Sequence, residues 1–462
     1  MKVSVIEKEY QHLFDTVITV NGWVLTTRPQ KDVCFIKLND GSHPSGIQLV
    51  CTPQQIENHN ITIGCSIRAT GTIVRSPSIE QPYELSVSDI TVLGSCGSDY
   101  PLSKGKMTFD YLRKFAHIRS RTSSFGSIFR IKSAISHATH LFFHERNFLH
   151  INPNIVTINE CEGGAGVFQI TEHDITNHLH LPTEPSSDSS KKHDWSKDHF
   201  GRPAFLTVSS QLQLEALACS LGSVYTTNKS FRSEHSSTNK HLSEFEHLEI
   251  EDVFVSLDDL MSIGEDYIKS VGRYLLEHSG KDIDNLGKFV SKGLRERIET
   301  LVDITFTRIT YTEAIDILTS ISGLKTPVVF GEDLCSEFEQ ALVRHFNGPV
   351  FVKEWPSSIK SFYMKQLGNK LCSNFDLIMP YGVGELIGGS MREDDLDTMM
   401  AMMKEKGVSP EPLSFYTDLR KFGTVPHGGF GLGLDRMCML FTGMESIKDV
   451  VAFPVHFKHC AY

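Results

Sequence analysis

The sequence predicts an α+β protein, with an all-β module first and a long mixed region after it. Two observations carry this. Short β-rich runs follow one another from residue 16 to about 95: Thr16–Val24, Val33–Leu38, Gly46–Cys51, Ser66–Arg75 and Tyr83–Leu93. Turn signals separate them, such as Asn39-Asp40-Gly41 and Pro44-Ser45-Gly46. Five short strands in about 80 residues suit a small barrel of the OB type, and a small β-sandwich fits the same pattern. Second, Ile128, Ile131, Ile135, Ala138 and Phe142 recur at 3/4 spacing, which builds one apolar helical face, and the pattern is mixed from there to the C-terminus. The organisation expected is a barrel over residues 1–100, a linker or hinge over 101–124, and one large domain over 125–462. Within the last, Glu184–Lys197 (EPSSDSSKKHDWSK) is polar and Ser-rich, which predicts a surface loop or lid over about 184–200.

Composition narrows the function classes. The chain has 462 residues, with 45 Lys+Arg against 56 Asp+Glu and a formal charge of −11. That excludes a polybasic binder relying on bulk charge, but not a local basic surface. Hydrophobic residues at 40% and charged residues at 22% fit a globular enzyme rather than a disordered chain. No apolar run is long enough to cross a membrane, and the start, MKVSVIEKEY, has no apolar h-region; a cytoplasmic protein is expected. None of the ten cysteines forms a C-x-x-C pair, so a zinc ribbon is not expected and the thiols read as free, in a reducing compartment.

Three polar constellations could carry chemistry. Phe231–Glu251 (FRSEHSSTNKHLSEFEHLEIE) reads as loop then strand, with Arg232, Glu234, Lys240, His241 and several carboxylates. Arginine forks match phosphate oxygens and carboxylates hold Mg²⁺, so this suits a polyphosphate; a solvated charged hairpin fits the pattern equally. In Asp376–Asp395 (DLIMPYGVGELIGGSMREDD), a Pro-Tyr-Gly turn lets two antiparallel strands bring Asp376 and Glu385 together around a metal. Gly388-Gly389 admits a close approach to the backbone, and Arg392 follows as a clamp for an anion or a carbonyl. His427–Arg436 (HGGFGLGLDR) puts glycines ahead of a helix, with Arg436 placed for a phosphate; a tight turn against a core helix is the bland alternative.

The order of these blocks resembles a known family. F-R-S-E at Phe231–Glu234, G-G-S-M-R-E at Gly388–Glu393 and G-F-G-L-G-L-D-R at Gly429–Arg436 resemble motifs 2 and 3 of class II aminoacyl-tRNA synthetases. With an N-terminal OB barrel, the order resembles subclass IIb, the aspartyl, asparaginyl and lysyl enzymes, over residues 14–454. The resemblance implies a catalytic domain built on an antiparallel sheet flanked by helices. It also implies ATP as substrate, Mg²⁺, tRNA as partner, and a homodimer formed through the helix near Phe125–Asn147.

Within the subclass, the asparaginyl pattern fits best. LTVSSQLQLE at Leu206–Glu215 has Leu214 where aspartyl enzymes usually place a Lys, which suits an uncharged side chain. The resemblance implies that Glu249 accepts from the amide nitrogen of L-asparagine while Arg392 donates to its oxygen. It puts Glu162, in CEGGAG, on the substrate ammonium and Gln211 on the amino acid. Arg232 would bridge the α-phosphate and the substrate carboxylate, and Glu234 and Leu242 would lie with Phe245 around adenine. His241, Gly433 and Arg436 would meet the phosphates, with Asp376 and Glu385 on Mg²⁺. In the barrel, Arg28, Phe35 and Gln48 would contact the anticodon of tRNA(Asn), Phe35 by stacking. Departures from the family's usual residues are Ser210, His235, Glu246-His247 and Val455. Two rival readings are an aspartyl enzyme of relaxed tRNA choice and a paralogue without aminoacylation.

Overall fold

Residue alternation builds the N-terminal barrel. In the computed structural model, which describes the chain apart from residues 79–80, 103–104, 106, 160–165, 178–180, 186–190 and 237, the five expected strands are present. They are β1 (Val17–Pro29), β2 (Cys34–Asn39), β3 (Ile47–Cys51), β4 (Ser66–Arg75) and β5 (Tyr83–Gly94). They close in the order β1-β2-β3-β5-β4, with β3 and β5 parallel and the other pairs antiparallel. Ile36, Leu38, Leu49, Ile67, Ala69 and Leu85 point inward and are fully buried, so one face of each strand fills the barrel. Gly41, at φ 85°, turns the chain between β2 and β3, and its N–H donates to Asn39 Oδ1 at 2.7 Å. A short helix, Val3–Leu13, adds Val3 and Ile6 to the same core.

The stretch expected as a linker carries structure of its own. Thr108 caps a helix at Phe109–Arg113 by accepting from the Tyr111 N–H. A 3-10 turn at Arg119–Arg121 follows, where Arg119 is buried with its guanidinium 4.3 Å from the Phe125 ring centre. A buried arginine paired with an aromatic leaves no compositional mark in a segment that starts with Gly, Ser and Pro. The chain divides into two compact units. One comprises Met1–Ala134, Leu275–Glu296 and Thr442–Met444; the other comprises Ile135–Tyr274, Arg297–Phe441 and Glu445–Tyr462.

The second unit is organised on an eight-stranded sheet. Its order across the sheet is Thr307–Thr310, Val350–Lys353, Asn374–Met379, Gly384–Met391, His427–Gly433, Glu244–Val253, Val224–Phe231 and Leu149–His150. The two edge pairs are parallel and the strands between them antiparallel. The Glu244–Val253 strand shows how the sequence positions a site. Leu248 and Ile250 are fully buried, while Glu249 and Glu251 alternate with them and are also nearly inaccessible. A period of two sends the apolar pair to one face and the two carboxylates to the other. The central strands are glycine-rich for a related reason. A Cβ on Gly389 would stand 2.5 Å from the Phe375 ring, and one on Gly431 would stand 2.6 Å from His247 Nε2.

Candidate active site

The face of the sheet that carries the carboxylates holds two adjoining cavities. The first, about 160 Å³, is lined by Arg232, Glu234, His241, Leu242, Phe245, Glu385, Gly433 and Arg436 among others. The second, about 310 Å³, takes in Gln211, Glu249, Asp376, Glu385 and Arg392. Arg232, His247, Glu385, Gly388 and Gly431 border both, so the two spaces form one groove along the sheet. Among the described residues, the expected site residues outside the barrel therefore converge, drawn from segments more than 200 residues apart. Glu162 lies outside the described residues. Arg28, Phe35 and Gln48 lie on the barrel instead.

In the first cavity, positive charge gathers on an aromatic wall. The Arg232 guanidinium is 5.5 Å from the Phe245 ring centre, and Arg436 Nη1 donates to the Glu385 carbonyl at 2.6 Å. His241 Nδ1 is 2.5 Å from Thr238 Oγ1 and 3.2 Å from Ser236 Oγ. Burial, then the charge of Arg436, lowers its pKa, so its ring is neutral near pH 7. Lys240 sits 3.9 Å from Glu339, whose Oε1 accepts from the Glu385 N–H at 3.0 Å. The helix Leu434–Thr442 begins where the His427–Gly433 strand ends, which brings backbone N–H groups and Arg436 to the cavity mouth.

The second cavity is a polar box whose walls are held by a buried ion network. Arg392 is 4% exposed. Its Nε donates to Glu251 Oε2 at 3.2 Å, Nη2 pairs with Glu251 Oε1, and Nη1 donates to Ser390 Oγ at 2.6 Å. Behind it stands Glu215, fully buried, 3.6 Å from Arg392 Nε. Glu215 accepts from Gln211 Nε2 at 3.0 Å, Tyr416 Oη at 2.9 Å and Arg420 Nη2 at 3.0 Å, with His427 Nε2 at 3.2 Å. Burial opposes its charge, but His427, Arg420 and Arg392 outweigh burial and hold its carboxyl well below the usual range. Glu251 goes the other way: burial raises it, with the charge of Glu215 adding to the effect and Arg392 opposing. Glu249, across the cavity, accepts from the Ser210 N–H at 3.1 and 2.9 Å and from the Ser209 hydroxyl, which fixes it at the start of the Gln211–Leu221 helix.

Asp376 and Glu385 do come together across the Pro380-Tyr381-Gly382 turn. Asp376 pairs with Gly388 in register, one strand over. A Cβ on Gly388 would lie 3.3 Å from Glu385 Oε1 and 3.7 Å from Asp376 Oδ1, so the glycine keeps open the space between the two carboxylates. Two converging carboxylates are the oxygen donors that a hard divalent cation takes, so these residues fit Mg²⁺. Asp376 is pushed up to about 7, first by burial and then by the charge of Glu385, with Lys360 opposing. Lys360 Nζ holds Asp376 Oδ2 at 2.6 Å and leaves Oδ1 to the cavity.

On the barrel, Arg28, Phe35 and Gln48 share an outward face of three neighbouring strands. Arg28 pairs with Phe35, and Lys37 pairs with Gln48. Arg28 Nη2 donates to Gln48 Oε1 at 3.2 Å, and Gln48 Nε2 donates to Glu84 Oε2 at 3.2 Å. Burial, then the charge of Arg28, lowers the pKa of Lys37.

Sequence reasoning passed over Lys360, Glu215 and the Glu251 pairing with Arg392. Lys360 lies outside the blocks that carry the family resemblance, whereas Glu215 closes the Leu206–Glu215 block. Apart from Gln211, four residues from Glu215, their partners lie 16 to 212 residues away, a separation that no local pattern encodes.

The chain also resembles known proteins. Residues 109–456 match the family of tRNA synthetases class II (D, K and N), and residues 18–93 match the OB-fold nucleic acid binding domain. An asparagine–tRNA ligase of Protochlamydia amoebophila is 41% identical over 97% of this chain and 96% of its own length. One from Bacillus cytotoxicus is 40% identical over 98% and 97%. Among solved structures, asparaginyl-tRNA synthetase from Pyrococcus horikoshii complexed with asparaginyl-adenylate superposes with a TM-score of 0.83. It is 28% identical, with 97% of each chain covered. On this likeness and on the convergence of its motif residues around one groove, the chain belongs to the class II aminoacyl-tRNA synthetases, in the D, K and N group that contains the asparagine–tRNA ligases.

Proposed function

We propose that the chain is an asparagine–tRNA ligase, which activates L-asparagine with ATP and transfers it to the 3' end of tRNA(Asn). One observation carries the reading: identity of about 40% to asparagine–tRNA ligases runs along nearly the whole chain. The polar box supports the choice of amino acid. Arg392, held by Glu251 and Glu215, offers a fixed donor at one wall, and Glu249 offers an acceptor at another. An amide presents both an acceptor and a donor, and a carboxylate in the same place would oppose Glu249.

In this account the asparagine carboxylate attacks the α-phosphorus of ATP in line and pyrophosphate leaves. Then the terminal ribose hydroxyl of the tRNA attacks the acyl carbon and AMP leaves. No protein nucleophile is needed; Arg232 and Arg436 orient the phosphates and neutralise the charge that develops. Phe245 stacks on adenine, Glu234 touches the adenine end, and Leu242 lines the same ATP cavity. His241 and Gly433 border the triphosphate. Glu162 holds the ammonium of the amino acid, and Gln211 makes a further polar contact to it. Asp376 and Glu385 would hold Mg²⁺, which supplies charge neutralisation of the phosphates when bound. The barrel, residues 1–100, reads the anticodon through Arg28, Phe35 and Gln48, residues 101–124 act as the hinge, and 125–462 form the catalytic domain. The enzyme works in the cytoplasm as a homodimer built on the helix Ser123–Glu145.

The test is ATP–pyrophosphate exchange with purified chain. Asparagine should stimulate exchange and aspartate should not. Stimulation by aspartate alone would make it an aspartyl enzyme, and stimulation by neither would make it a paralogue without aminoacylation.

A further inference from the structure

A second cluster of ligating side chains lies on the segment from Thr171 to Phe200. His173, His193 and Asp198 each turn one ligand atom toward the others, all within 4.8 Å. The three come from separate pieces of local structure. His173 follows the Gln169–Ile170 strand, His193 ends the Lys191–His193 strand, and Asp198 follows a 3-10 turn at Trp195–Lys197.

Each ligand is oriented by something behind it. Asp198 is buried, and its Oδ1 accepts the N–H groups of Glu172 at 3.1 Å and His199 at 2.7 Å, leaving Oδ2 turned to His193. His173 Nε2 is 3.3 Å from the Lys197 carbonyl, so that nitrogen carries the proton and Nδ1 keeps its lone pair. Metal-bound histidines are commonly held in this way, with the second ring N–H on a backbone carbonyl. The His193 ring packs against Trp195, with centroids 4.3 Å apart. His193 Nε2 stands 3.4 Å from Asp198 Oδ2, long for a hydrogen bond. It matches the edge of a tetrahedron with bonds of about 2.0–2.1 Å, which is roughly 3.3 Å. The nearby ammonium of Lys197 is directed at Asp194, 3.2 Å away, and does not fill the space.

We propose that His173, His193 and Asp198 form a binding site for a borderline divalent transition ion of the Zn²⁺ class, with the fourth position open. Two imidazoles and one carboxylate select zinc or cobalt over Mg²⁺ and Ca²⁺, which take all-oxygen sites. The site is separate from Asp376 and Glu385 and contains no cysteine, so cysteine spacing gives no hint of it. Bound there, the ion ties the strand that ends at His193 to the Thr171–His173 segment and the Trp195–Lys197 turn, and fixes a stretch expected to be a surface loop.

The test uses the full chain without an affinity tag, stripped with chelator and dialysed against Zn²⁺ and, separately, Co²⁺. One ion per chain is expected, with the visible d–d bands of tetrahedral Co²⁺. His173→Gln and His193→Gln should each weaken zinc binding by more than the roughly 10–100-fold that loss of an outer-shell partner costs. Should either glutamine variant melt early, His193→Cys separates folding from ligation, since a thiolate in that position restores zinc binding. Absence of bound zinc in the parent chain would overturn the proposal. So would one ion retained by the double glutamine variant.

Discussion

Glu215 is the residue on which the polar box depends most, although it contacts no substrate in the proposed account. Replacing it with glutamine keeps the size and removes the charge. The carboxylate faces Gln211 and Tyr416 on one oxygen and Arg420 and His427 on the other, with Arg392 at 3.6 Å. In Glu215→Gln, one of those faces presents an NH₂ group to donors, and two buried guanidiniums lose their common anion. Breaking a buried pair by removing one partner costs about 3–5 kcal/mol. Spread over a unit of roughly 300 residues, at about 2.1 cal/mol/K per residue, that lowers the melting midpoint by about 5–8 °C. Arg392 keeps Glu251 but loses its rear support, so the KM for asparagine should rise while the KM for ATP holds. Differential scanning calorimetry and exchange kinetics read the two effects. An unchanged midpoint with an unchanged asparagine KM would refute the view that Glu215 organises the box.

Three further outcomes follow from the same geometry. Arg392→Leu removes the donor proposed for the side-chain amide and leaves Glu251 buried without its partner; exchange should fall by roughly 10²–10³-fold or more, and near-normal turnover would remove that role. Asp376, pushed up to about 7 by burial, must lose a proton to hold a cation. Because its folded value lies above the unfolded one, the protonated form stabilises the fold at acid pH, and that contribution is lost as pH rises through about 7, where Mg²⁺ can replace it. The Mg²⁺ needed for half-maximal exchange should therefore fall about tenfold from pH 6 to pH 8, and a flat titration would contradict the assignment. Phe35→Ala removes the proposed stacking platform. It should raise the KM for tRNA by roughly 5–150-fold, from about 1–3 kcal/mol, while exchange without tRNA stays unchanged.

Much of this architecture is legible in the sequence. The five barrel strands were visible because half-buried strands force alternation, and Ile36 and Leu38 beside Phe35 and Lys37 show it plainly. The catalytic groove was legible through motif order, since Arg232, Gly388-Gly389, Arg392 and Arg436 each sit in a dense local block. Other features left a weak trace. The N-terminal helix buries only Val3 and Ile6, too few positions for a periodic signal. Within residues 101–124, the helix Phe109–Arg113 spans little more than one turn, and buried Arg119 looks in sequence like any surface charge. Lys360 on Asp376 and Glu215 on Arg420 are pairings made by the sheet and its helices. They depend on tertiary approach, which composition and periodicity do not record.

The choice of amino acid is read most directly by competitive charging. Purified chain, ATP, Mg²⁺ and tRNA(Asn) are incubated with equimolar asparagine and aspartate, and the aminoacyl group on the tRNA is identified by mass spectrometry. Asparaginyl-tRNA as the sole product is the result expected from Glu249 and Arg392 reading an amide. Aspartyl-tRNA, or a mixture of the two in comparable amounts, would contradict it.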